Sequence, residues 1–196
     1  WNVAYTDPTN IRSKEKESDD SVAFTLSLPM KQQPGIHFSY SGGYVSVVGA
    51  VVSHLSQQPT AADYAKSGPL KALCFKNAYW SKQADGKTDT AGGGLMRPID
   101  MLKVGQLMLD GGQWQRQQLI DKQWITDSID SYINYFNSKY GYFWWHDDVF
   151  VMANRKNYPY VHASGSGGQE IVILKELDLV VVNTASNYET PGKVNE

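Results

Sequence analysis

The sequence predicts an α+β fold, with helices through the front of the chain and an antiparallel sheet behind them. Two observations carry that prediction. Over residues 44–55 and again over 101–109 apolar residues recur at three- and four-residue spacing, the period of a helix face. Beyond residue 136 the pattern changes to aromatic and β-branched runs. Two of these, residues 170–174 and 179–184, are separated only by Lys175-Glu176-Leu177-Asp178, which is a hairpin signature. Residues 1–135 therefore read as the mainly helical and loop part of a single partial domain spanning 1–196, and residues 136–188 as its C-terminal sheet strands.

Residues 1–35 are polar and irregular, with turn signals at Asp7-Pro8 and Pro34-Gly35. The run from Ser13 to Asp20 mixes both signs of charge and reads as a solvated loop or an exposed helical turn; residues 21–28 read as a short helix. From Gly43 onward, Tyr44, Val47, Val48, Val51 and Leu55 fall on one helical face, while Gly49 and Ala50 allow close approach of another element. Pro59 closes that helix. Thr60 is placed to cap a short one through Lys66, because its hydroxyl accepts an orphan backbone N–H. Gly68-Pro69 breaks the pattern and residues 76–94 read as loop. Pro98 suits a first helical position, Met101, Val104 and Met108 form the following stripe, and Gly111-Gly112 stops it. Residues 121–129 read as a further helix with Trp124 and Ile125 inward, and residues 140–145 and 160–164 as strands.

Composition removes several function classes. A chain of 196 residues that is 41% apolar can bury one sizeable core. A formal charge of -2 with no basic stripe argues against a nucleic-acid partner. The longest apolar runs, such as residues 179–182, are far too short to span a membrane. Trp1 in place of Met reads as a processed end or a truncation. Cys74 stands alone, has no disulfide partner, and reads as a small buried apolar residue. His37, His54, His146 and His162 lack metal-ligand spacing, and His146-Asp147-Asp148 reads as a strand-end turn, so neither a metal nor a cofactor is expected. Aromatic residues make up 12% of the chain, and these fill cores but also line clefts that take organic ligands.

Three stretches in order carry a family likeness. The first is Pro34-Gly35-Ile36-His37-Phe38-Ser39-Tyr40-Ser41-Gly42-Gly43-Tyr44 before the Val-rich helix. The second is Gly92-Gly93-Gly94-Leu95-Met96-Arg97-Pro98-Ile99-Asp100-Met101-Leu102, running on to Gly111-Gly112. The third is Ala163-Ser164-Gly165-Ser166-Gly167-Gly168-Gln169 before the hairpin. Together, from about Trp1 to Tyr188, they resemble the β-lactamase-related serine hydrolases: class C β-lactamases, DD-peptidases of the penicillin-binding protein type, esterases and 6-aminohexanoate-dimer hydrolases. The resemblance implies a β-lactamase/transpeptidase-like antiparallel sheet flanked by helices, incomplete here at both ends. It also implies acyl-enzyme chemistry, with a nucleophilic Ser in a Ser-x-x-Lys motif, a Tyr-x-Asn loop and a Lys-Thr-Gly or His-Thr-Gly strand.

On that resemblance Tyr40 takes the place of the motif Tyr, as general base or proton shuttle; the residues alone read equally as a Tyr packed at a helix start. Gly42 stands where the family has Asn, which removes a substrate-facing amide and leans the reading toward an ester or simple amide. Ser164-Gly165 falls on the Thr-Gly pair, with Ser166 in the following Gly-rich run. Ala163 then stands at the basic position, so either His162 fills that role in a shifted register or the role is vacant; a one-residue shift on a strand reverses the face. The Gly-rich run reads either as close backbone approach to a ligand or as a flexible turn.

The only literal Ser-x-x-Lys is Ser13-Lys14-Glu15-Lys16, which lies among charges and reads as solvated, so the nucleophile is expected upstream of Trp1. The expected partners are a small ester or amide substrate and the missing N-terminal portion of the same protein. Relatives of this kind are mostly exported bacterial enzymes, which implies the periplasm or the exterior. Two other functions stay open: a non-catalytic module on the same fold, suggested by Gly42 and Ala163, and an aromatic-rich carbohydrate-binding module using Tyr142, Trp144 and Trp145.

Overall fold

The computed structural model describes residues 9–130, 132–135 and 138–188. The turn read at Asp7-Pro8 and the residues beyond Tyr188 lie outside them. Two compact units divide the chain, one up to Met96 and one from Arg97.

The first unit contains helices α1 (Ile11–Glu17), α2 (Ser21–Ser27), α3 (Gly42–Ser56), α4 (Ala61–Ser67) and α5 (Pro69–Ala72), and a small hairpin of β1 (Tyr79–Trp80) and β2 (Gly94–Leu95). The helix starts follow from short polar side chains that accept otherwise unpaired N–H groups. Asn10 accepts from the amides of Arg12 and Ser13, Asp20 from those of Val22 and Ala23, and Thr60 from that of Asp63, the last as the sequence predicts. Residues 76–94, which the sequence presents as loop, close into the β1–β2 hairpin with an added bridge between Lys82 and Thr88.

The interior of this unit is polar. Arg12 forms ion pairs with Glu15 at 2.7 Å and with Asp89, and donates to the hydroxyl of Ser46 at 3.2 Å. Gln83 bridges Glu15 and Ser46, and Lys16 reaches Asp89 at 3.1 Å from the surface. Glu15 and Asp89 are 2% and 1% exposed. The mixed-charge run is therefore a helix with a buried ionic face and not a solvated loop; ions leave water only when paired, and Asp89 and Gln83 supply the pairing from far along the chain. Beside this cluster the amide and hydroxyl of Ser21 donate to Asp85, which also binds Lys87 at 2.7 Å. Burial opposes ionisation of Asp85, but those donors outweigh it and hold its carboxyl well below the usual carboxylate range.

Helix α3 faces this network with its small residues. Gly42, Gly43, Ser46 and Gly49 are buried, whereas Tyr44, Val48, Val51 and Leu55, read from the sequence as one apolar face, are about half exposed or more. Gly49 permits the approach: a Cβ there would stand 2.6 Å from the Thr90 methyl. Cys74 is exposed rather than buried.

The second unit places α6 (Pro98–Leu109) on an antiparallel meander. After α6 come a two-stranded ribbon, β3 (Gln113–Trp114) with β4 (Gln117–Gln118), and α7 (Lys122–Asp130). The sheet follows as β5 (Ile133–Tyr135), β6 (Ser138–Gly141), β7 (Trp144–Val151), β8 (Lys156–Gly165), β9 (Gln169–Leu174) and β10 (Leu179–Asn183), each strand paired with the next. The helices-then-sheet order predicted from the sequence is the order observed. The β9–β10 hairpin pairs Leu174 with Leu179 through Ile171 with Val182. Residues 140–145 are not one strand: Tyr142 and Phe143, both at positive φ, form a two-residue turn between β6 and β7. His146 to Asp148 lie inside β7, not at a strand end.

Met108, Ile125, Ile129, Trp144, Ile171 and Ile173 form the core here, with Met101 and Val104 packed against it as the helical stripe predicted. Trp124, expected inward, is 53% exposed. Alternation along the strands puts Ile171, Ile173, Val180, Val182, Val161 and Ala163 on the helix-covered face. Gly105 sets the separation between helix and sheet, since a Cβ there would stand 2.5 Å from Val180 Cγ1 and 2.9 Å from Ile171 Cγ2. Replacing Gly105 by valine is expected to cost about 2–3 kcal/mol through overpacking, read as a lowered urea midpoint; an unchanged midpoint would refute that close contact.

Candidate active site

Tyr40 lies in the irregular stretch, residues 37–41, that leads into α3, and Gly35 at φ +82° makes the turn before it. Its ring is 43% exposed. What fixes it is the backbone that follows. Gly42 is buried, and a Cβ there would lie 3.2 Å from the Arg12 side chain and 3.3 Å from Ala91. A Cβ on Gly43 would likewise stand 3.0 Å from the Thr25 methyl. The start of α3 is thus seated on the buried ionic cluster through two residues that have no side chain. An asparagine at position 42 would need the space that Arg12 and Ala91 occupy, so the missing amide has a packing reason.

In the second unit, His162, Ala163, Ser164 and Gly165 close β8, and Ser166 to Gly168 turn the chain into β9. Ser164, Gly165 and Ser166 are exposed, while Gly167 and Gly168 are buried. Both buried glycines have φ near +90°, at 83° and 91°, where a side chain is strained. The turn is held from behind by the chain after β10. The Asn183 amide donates to Gly168 O at 3.0 Å, Asn187 N donates to Gly167 O at 3.1 Å, and the Gln169 amide donates to Ala185 O. Tyr188 covers Gly167 so closely that a Cβ there would stand 2.5 Å from its ring. Ser164 and Gly165 are thus exposed beside a turn that is fastened from behind. Sequence reasoning missed Asn183 and Tyr188; an Asn at the end of a hydrophobic strand and a lone Tyr carry no signal of a partner fifteen or more positions back.

His162 and Ala163 point to opposite faces. Ala163 packs with the core, and His162 stands opposite Trp145 and Val172 on the other face, the face of Ser164. The His162 ring is 14% exposed, lies 5.3 Å from the Tyr160 ring, and has Nε2 3.6 Å from Asp147 Oδ2, beyond hydrogen-bond reach. Tyr40 and Gly42 share one helix start, and His162, Ser164, Gly165 and Ser166 share one strand end. The three aromatics of the carbohydrate reading share no face: Trp144 is core, Trp145 lies on the other face 4.5 Å from Tyr140, and Tyr142 sits in the turn edge-on to Trp124.

The fold is one shared with solved β-lactamase-like structures. A Bacillus anthracis protein provisionally assigned as a 6-aminohexanoate-dimer hydrolase superposes with a TM-score of 0.71 at 18% identity, over 98% of this chain and 47% of its own. A Bacteroides dorei DSM 17855 protein provisionally assigned as a beta-lactamase gives a TM-score of 0.58 at 14% identity, over 87% of this chain and 58% of its own. The chain thus spans about half the length of these neighbours, and what it shares with them is the fold. No family model matches the sequence, and no curated protein is detectably similar to it.

Proposed function

We propose that this chain is part of a serine hydrolase that cleaves an ester or amide bond through an acyl-enzyme, with its nucleophile in a Ser-x-x-Lys motif carried by polypeptide preceding residue 1. The observation that supports this most is the likeness over 98% of the chain to a protein provisionally assigned as a 6-aminohexanoate-dimer hydrolase. It is strengthened by an exposed Tyr40 on a rigidly seated helix start and an exposed Ser164-Gly165 on a fastened turn. In the first half-reaction the serine oxygen bonds to the substrate carbonyl carbon as its proton passes to the Tyr40 oxygen, held as phenolate by the motif lysine. The carbonyl electron pair moves onto oxygen and is met by backbone N–H groups, one of them from the end of β8. Collapse expels the alcohol or amine, which takes the proton from Tyr40; water then attacks the acyl-enzyme along the same path and releases the acid. Ser164 and Ser166 offer hydroxyls to the substrate beside Gly165. Gly42 provides no side-chain amide, which suits a small ester better than a β-lactam.

A second reading, a non-catalytic module on the same fold, draws on Gly42 and Ala163, the two positions that depart from the family pattern. One experiment separates the two. The longer polypeptide containing residues 1–196 is treated with a fluorophosphonate and analysed by mass spectrometry. A single covalent adduct on the serine of an upstream Ser-x-x-Lys is the expected result. A folded polypeptide that takes up no label would establish the non-catalytic reading instead.

A further inference from the structure

Strand β8 runs on past its last pairing with β7, that of His162 with Trp145, so the backbone from Ala163 to Gly165 has no ladder partner on β7. The two-residue turn between β6 and β7, Tyr142-Phe143, closes beside this overhang. Continued past its last pair, the register sets Phe143 level with Ser164 and Tyr142 level with Gly165, one strand spacing of about 4.8 Å away. Both turn residues have positive φ, 47° and 73°, a conformation for which Asn-Gly or Gly-Gly is the unstrained choice. Burial does not offset the strain of two aromatic side chains there, because Tyr142 and Phe143 are 49% and 53% exposed. On α7, Trp124 stands edge-on to Tyr142 with ring centroids 5.4 Å apart, and it too is about half exposed. Three large rings therefore lie open to solvent outside the core of the unit, at the end of the sheet that carries Ser164-Gly165.

Strained backbone that holds side chains outward, where they pack against nothing in the core, points to a surface kept for binding. Rings presented edge-on and half open favour another ring, which adds edge-to-face or offset contacts to the area it buries. Charge narrows the choice. Glu170 on β9 stands directly opposite Ser164 on the same face and forms no ion pair among the described residues. A carboxylate bound beside Ser164 would face that like charge. We propose that Tyr142, Phe143 and Trp124 form a subsite for an aromatic group of the substrate beside Ser164-Gly165, and that Glu170 restricts it to groups without negative charge. The substrate is then an ester or amide of an aromatic alcohol, amine or acid. Its being a substrate rests on the hydrolase reading; the aromatic subsite rests on the strand end alone.

Two arms test this on the longer polypeptide containing residues 1–196. In the first, kcat/KM is measured for benzyl acetate, ethyl acetate and 4-carboxybenzyl acetate, and benzyl acetate is expected to be preferred over each of the others by about tenfold or more. Tyr142→Asn with Phe143→Gly gives the turn the residues its φ values favour, so folding is not at risk, and the preference for benzyl over ethyl acetate is expected to fall below about threefold. Glu170→Gln is expected to narrow the gap between the benzyl and 4-carboxybenzyl esters about fivefold or more. The second arm needs no turnover: benzyl alcohol is titrated while the Ser164 and Gly165 amides are followed by NMR. Saturable shifts are expected in the parent, and neither in the double variant nor with benzoate. Absence of saturable shifts, or a benzyl preference that is missing in the parent or survives in the double variant, would overturn the subsite and leave the hydrolase reading standing wherever the esters are cleaved. Benzyl alcohol binding that the double variant loses, in a polypeptide that cleaves none of the esters, would uphold the subsite and overturn the hydrolase reading instead.

Discussion

Replacing Arg12 by methionine is expected to destabilise the first unit by about 3–5 kcal/mol, a large part of the roughly 5–15 kcal/mol that holds a typical domain. The size of the effect comes from what is left behind. Methionine fills much of the space, but Asp89 and Glu15 remain almost wholly buried without their main cation, and Ser46 loses a donor. Lys16 still reaches Asp89 at 3.1 Å, but its side chain is 45% exposed and more weakly coupled. The loss should appear as a lowered urea midpoint together with faster amide exchange through α1 and α3, the two helices the cluster joins. Removing both acids at the same time, as Arg12→Met with Glu15→Gln and Asp89→Asn, should recover at least half of the loss, because the cost lies in uncompensated charge and not in a missing attraction. A change below about 1 kcal/mol in the single variant would mean that water enters the cluster and the charges are not truly buried.

That cluster also marks the limit of what the sequence discloses. The order of helices and then sheet, the Thr60 cap, the α6 stripe and the β9–β10 hairpin are local patterns, set by neighbours within a turn or a hairpin, and they were legible. The environment of α1 depends on Asp89 and Gln83, about seventy positions away, and a mixed-charge run is the same string whether solvated or paired. Helix α3 presents a related difficulty. Periodicity identified its apolar stripe correctly but could not say which side meets the rest of the unit; the glycines do, because close approach to Thr25 and Thr90 and the bond from Arg12 to Ser46 require small residues there. The turn at Tyr142-Phe143 escaped notice because positive φ is adopted there by two aromatic residues without a glycine or asparagine to announce it. For the candidate site, the residues at 40–42 and 162–166 were legible as motifs, whereas the supports that fasten them, Arg12 under Gly42 and Asn183 with Tyr188 behind Gly167, were not.

Tyr40→Phe is expected to slow covalent labelling of the upstream serine by about 100- to 10,000-fold, the range typical of losing a positioned proton-transfer group. The substitution removes one oxygen and keeps the ring, and the helix start that follows is packed through Gly42 and Gly43 against Arg12 and Thr25. Urea unfolding of the same variant separates a chemical role from a packing role: a lost contact lowers the midpoint, whereas a lost proton-transfer group slows labelling at an unchanged midpoint. The pH profile adds a second discriminator. If Tyr40 acts as phenolate, labelling of the parent polypeptide should rise with pH through the tyrosine ionisation, and the residual rate of the phenylalanine variant should lose that limb. Labelling within twofold of the parent, with the limb retained, would assign the proton transfer to the lysine of the upstream motif and leave Tyr40 as a packing residue. In that case the rigid start of α3 would still be explained by Arg12 and the two glycines, because its placement does not depend on what the hydroxyl does.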